Sequence, residues 1–111
     1  DSRYVSWVKQ SLILLGWKIR GGEDRAKKLF DIFEKIGMIA GVLVFSYTKK
    51  ANIDLKQYEQ YIQNGEIDFL VVITQDFKDS NKAQLSNRIV IINHHDLPKL
   101  HSTLKSLSII K

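Results

Sequence analysis

Apolar positions along the chain change period several times, and each change marks the edge of an element. Val5, Val8, Leu12 and Leu15 recur at spacings of three and four, with Gly16 directly after them. Such spacing predicts an amphipathic helix and a glycine stop. Trp17-Lys18-Ile19-Arg20 then alternates apolar and polar, as a half-buried strand does, until Gly21-Gly22 breaks it. Residues 23–35 suit two elements: Ala26, Leu29, Phe30 and Phe33 fit a helical stripe, while Leu29-Phe30-Asp31-Ile32-Phe33 is rich in strand formers. We expect a strand from about Lys28 to Lys35. Ile36-Gly37 offers a tight turn into Met38–Tyr47, whose Val42-Leu43-Val44-Phe45 run suits a central strand covered on both faces.

Asn52 or Asp54 can cap the next helix, with Gln57 placed to complete a capping box behind Asp54. Leu55, Tyr58 and Ile62 form its inward stripe, and Asn64-Gly65 ends it. Ile67–Thr74 reads as a fourth, nearly all-apolar strand, Gln75–Asn87 as a polar stretch with a short helix, and Arg88–Ile92 as a fifth strand. Leu97, Leu100, Leu104 and Leu107 define the last helix, with Asp96 as its expected cap and Pro98 in its first turn. The predicted order is α-β-β-β-α-β-α-β-α. It implies an α/β fold whose mixed β-sheet of about five strands is flanked by helices.

With 111 residues, 44% of them hydrophobic, the chain supports one core, so residues 1–111 are expected to form a single domain. The first residue is Asp1 rather than Met and the last pattern is helical, which gives the expectation of a domain from a longer protein. Without cysteine there is no disulfide and no thiolate metal site, and a reducing, cytoplasmic location is expected. The longest apolar runs, Ser11–Gly16 and Met38–Phe45, fall short of the ~20 residues of a membrane span, and no membrane partner is expected. Seventeen Lys and Arg against twelve Asp and Glu leave a net charge of +5 and a pI near 9.5. That balance favours polyanions, DNA or RNA among them.

Three stretches resemble one family. Leu15-Gly16-Trp17-Lys18-Ile19 is similar to the opening of the Mrr-like group of PD-(D/E)XK, or restriction-endonuclease-like, nucleases. Ile67–Thr74 with Asp76-Phe77 resembles that group's fourth strand and its exit. Ile89–Asn93 followed by Leu97-Pro98-Lys99-Leu100 resembles its last strand and helix. The resemblance covers roughly residues 12–104, and much of it is hydrophobic pattern.

In active members of that family an Asp on strand 2 meets a Glu or Gln and a Lys on strand 3, two residues apart, and together they hold Mg²⁺ against the phosphodiester. The resemblance puts Asp31 at the strand 2 position, but Phe45 where the acid belongs and Tyr47 where the lysine belongs. From Ile36 through Ile53 there is no Asp, Glu or Gln, so no shift of alignment along strand 3 supplies the acid. The implied function is a catalytically degenerate module that binds nucleic acid or serves assembly in a larger protein, without a cofactor. The alternatives are a Mg²⁺-dependent nuclease with a migrated acid, using Asp31 with Glu59 or Gln57 and with Lys49 or Lys50, and a domain that contacts only protein, including a second copy of itself.

Arg20, Arg25, Lys27 and Lys28 around Gly21-Gly22, and Lys49-Lys50 after strand 3, are the candidate phosphate contacts; a solvated charged surface is the plainer reading. Asp31 is equally a strand-edge carboxylate paired to a lysine. His94, His95 and His101 read as loop and helix-surface histidines rather than metal ligands. Tyr58, Tyr61 and Trp7 read as packed or half-packed aromatics, with base stacking or a partner surface as the functional alternative.

Overall fold

The computed structural model describes residues 2–20, 30–45, 58–75 and 87–109. The first apolar stripe forms helix α1, Ser2–Leu14, with Val8 and Leu12 fully buried beneath it. The chain leaves α1 through Gly16, whose φ of 98° only glycine takes without strain. There the Trp17 amide donates to the Leu12 carbonyl at 3.0 Å and the Gly16 amide to the Ile13 carbonyl at 3.1 Å, the paired bonds of a Schellman stop. The Lys35 ammonium donates to the Leu15 carbonyl at 2.7 Å and so satisfies another oxygen left open at the helix end.

Five strands follow: β1 (Lys18–Arg20), β2 (Asp31–Lys35), β3 (Met38–Phe45), β4 (Phe69–Thr74) and β5 (Ile89–Asn93). They lie side by side in chain order. β2 is antiparallel to both β1 and β3, whereas β3, β4 and β5 run parallel. The chain is thus α/β with a mixed five-stranded sheet flanked by helices, as its periodicity predicts. Helix α2 (Glu59–Gln63) precedes β4, and a 3-10 segment, His94–Lys99, leads from β5 into α3, Leu100–Ile109.

The pleat divides the core in two. On one face Val8 and Leu12 of α1, with Leu97, Leu100 and Leu104 before and within α3, pack on Phe33, Ala40, Val42, Phe69, Val71, Ile73 and Ile92. On the other, Tyr58, Tyr61 and Ile62 around α2 pack with Phe30 and Ile67 on Leu43, Leu70, Val72 and Ile89. The period-two alternation of β3 and β4 feeds both faces, so neither strand has a polar side.

Several expectations change in detail. β1 is exposed at all its positions rather than half-buried, because it is an edge strand of the sheet. Trp17 lies before β1 and is buried as part of the helix stop. β4 begins at Phe69 rather than Ile67, since Asp68 instead exchanges two bonds with Ile39. Its amide donates to the Ile39 carbonyl at 2.8 Å and its carboxylate accepts from the Ile39 amide at 2.9 Å. β5 starts one residue later than Arg88 and runs to Asn93. Asn93, not Asp96, caps the segment that follows, its side-chain oxygen accepting from the His95 amide at 2.9 Å. The start expected for strand 2, the Asp54 capping box, the end of strand 3 at Ser46-Tyr47 and the short helix in 75–87 fall largely or wholly outside the described residues.

Candidate functional site

Parallel strands aim their carboxyl ends at one edge of a sheet, and ligands of α/β proteins gather at such edges. Here that edge holds Phe45, Thr74 and Asn93, the last residues of β3, β4 and β5, which are paired in register. Arg20 ends β1 on the same side, because β1 and β3 are both antiparallel to β2. Asp31 opens β2 there, opposite Val42.

Asp31 faces α1. Its carboxylate is paired with the Lys9 ammonium at 2.5 Å, which ties the helix to the sheet. Across the sheet Asp31 shares a row with Val42, Val71 and Val90, and the next row toward the carboxyl edge is Val44, Ile73 and Ile92. The acid therefore stands at the margin of an apolar face.

The strand 3 residue that the family resemblance aligns with the acid does not approach it. Phe45 packs with the α2 cluster, on the opposite face from Lys9 and Asp31, because a single residue's shift along a strand reverses the side. Val44 is the β3 residue that shares the Asp31 face near the edge. Glu59 belongs to α2, so the sheet separates it from Asp31 as well. The two carboxylates expected to share Mg²⁺, Asp31 and Glu59, thus lie on different faces of the sheet. Among the described residues no group of three or more His, Asp or Glu side chains could hold a metal ion.

Arg20 reaches Glu34 with Nε 3.4 Å from Oε1, and its strand neighbour is Ile32, which packs on the α2 side. It too faces away from Asp31. Arg25, Lys27, Lys28, Lys49, Lys50 and Gln57 lie outside the described residues. β1 and β3, the strands that lead into 21–29 and 46–57, both end at the carboxyl edge.

What the structure brings together at this edge is a group of rings. Tyr4 and Trp7 lie on α1, and His94 and His95 follow β5. The Tyr4 hydroxyl and the His94 Nδ1 are hydrogen-bonded at 3.1 Å. Trp7 stands edge-on to His94, with centroids 5.2 Å apart and planes at 83°, and Tyr4 does so at 5.6 Å and 74°. The His94 and His95 rings are 4.2 Å apart. Burial, and then the proximity of His95, hold the His94 pKa below its ordinary value. Trp7 is 50% exposed, unlike the packed Tyr58 and Tyr61, which meet Phe30 at 6.0 and 5.1 Å.

Periodicity could not reveal this cluster, because its members come from the two ends of the chain. The one available signal was Trp7 lying off the Val8–Leu12 stripe. Compared with protein-family models, curated proteins and solved structures, the chain matches none. No helix among the described residues is long and apolar enough to cross a membrane.

Proposed function

We propose that this chain is a catalytically vacant, nuclease-like module that binds nucleic acid along the carboxyl edge of its sheet, in the cytoplasm. The observation that carries the binding-without-cutting half is the Asp31 row. The carboxylate is paired with Lys9, its neighbours across β3, β4 and β5 are valines, and Glu59 lies on the α2 side of the sheet. The order of α1, hairpin, α2 and the parallel strands supports the nuclease-like half. The net charge of +5 and the ring group at the carboxyl edge support the nucleic-acid half.

Fluorescence anisotropy with labelled DNA and RNA, repeated from low to physiological salt, tests this reading. The expected result is binding that weakens steeply as salt rises, with no cleavage when Mg²⁺ is added, whether Asp31 is intact or replaced in Asp31→Asn. Absence of affinity for any nucleic acid at low salt would remove the reading. Mg²⁺-dependent cleavage abolished by Asp31→Asn would restore the nuclease alternative.

A second reading, a protein-docking domain, draws on the corner where α1 ends. Leu14 is 85% exposed there and Ile36 84%, on the two chain segments joined by the Lys35–Leu15 bond. The same experiments favour it if nucleic acid does not bind and light scattering detects a stable complex.

A further inference from the structure

Resting on the nucleic-acid reading, we propose that Trp7 is a stacking platform for an unpaired nucleobase, so that the chain prefers single-stranded nucleic acid to duplex. Trp7 is 50% exposed, so half of an indole, a ring suited to stacking, stands open on α1. Its inner surroundings are ordered. His94 is edge-on to it at 5.2 Å, Tyr4 lies 6.2 Å away at 31°, and the Tyr4–His94 hydrogen bond fixes those two rings to each other. An indole held in this way loses little freedom when a base lies on its open side, and stacking tolerates any base because each has a π-face.

Charge favours a nucleic acid as the occupant. The whole chain is basic, with a net charge of +5, which draws polyanions to it. Lys9 is committed to Asp31, and Asp96 is the acid nearest in sequence to His94 and His95, so the local field is mixed. Attraction would thus come from the chain as a whole and selectivity from the ring. Duplex bases are already stacked on each other and would have to be extruded to reach a helix-borne indole. Unpaired bases need no such step.

The chain has two tryptophans, and the structure separates their signals. Trp17 is 2% exposed beneath the helix stop, with His101 edge-on at 5.9 Å, so emission that changes on binding reports Trp7. The experiment titrates the protein at low salt with an oligo-dT strand, with a DNA duplex of equal length, and with heparin, a polyanion without bases. Oligo-dT is expected to quench a large part of the emission, and duplex and heparin to quench little. Trp7→Ala should weaken oligo-dT binding about tenfold, the scale of one base stacked on an aromatic ring, while heparin affinity stays constant; Trp7→Phe should recover part of the loss.

Binding of oligo-dT without quenching, or equal affinity of Trp7→Ala, would overturn the proposal and leave the nucleic-acid reading standing. No binding to either DNA would remove both. Quenching that instead depends on protein concentration alone would assign Trp7 to contact between copies of the chain and overturn the proposal as well.

Discussion

Ile36 takes a φ of 49° in the turn between β2 and β3, and Gly37 follows at 79°. Two positive φ values in a two-residue hairpin make a type I′ turn, whose backbone twist suits the strands it joins. Glycine accepts that conformation freely; a β-branched residue does not, and its Cβ crowds the backbone for a penalty of roughly 1–2 kcal/mol. Ile36 gains no packing in return, being 84% exposed. Ile36→Asn is therefore expected to stabilise the chain by about 1 kcal/mol, raising Tm by several degrees in a thermal melt. An unchanged or lower Tm would mean that the isoleucine makes a contact worth more than the strain. The turn itself was legible from Ile36-Gly37 between two apolar runs, but the strain was not, since it depends on which turn type the register of Lys35 and Met38 demands.

At the scale of elements, the strands and helices were readable wherever apolar spacing was regular, and β3, β4 and α3 follow their patterns closely. The side on which each strand residue faces was harder to read. Sequence resemblance placed Phe45 beside Asp31, yet the pairing of Asp31 with Val42 puts even-numbered β3 residues on the Asp31 face and sends Phe45 to α2. Register is a property of two strands, and one strand's sequence does not contain it. The exposure of β1 escaped for a similar reason, because alternation does not say whether the strand lies at an edge of the sheet. Gly41 shows the same dependence on neighbours. A Cβ there would lie 2.8 Å from the Phe30 ring and 2.9 Å from the Ile67 side chain, both in the α2-side core. Gly41→Ala is expected to cost about 1–3 kcal/mol by overpacking, read as a lower urea midpoint with an unchanged slope. Adding Phe30→Leu should recover part of that loss; full tolerance of Gly41→Ala would show that the strand moves aside.

For the whole molecule, two histidines link stability to pH. Burial lowers the His94 pKa first, and His95 adds to it; burial likewise leads for His101, with Lys35 and Lys105 adding to it. In both cases the fold favours the neutral ring, so the unfolded chain takes up protons first as pH falls. Their contribution is thus complete above the unfolded value of about 6.5 and is lost as pH drops through it toward the folded values. Urea midpoints should be lower at pH 5.5 than at 7.5, and a variant carrying His94→Gln and His101→Gln should show a smaller difference. Equal midpoints for the parent chain would refute the linkage. The topology also orders events in time. β2 and β3 are joined by two residues, whereas β3 meets β4, and β4 meets β5, only through parallel pairings that require long crossovers. Hairpins close in about 1–10 μs, far sooner than distant parallel strands find each other. The strained Ile36 turn therefore sits in the step that assembles first, and relief of its strain should appear as faster refolding, with the unfolding rate nearly unchanged.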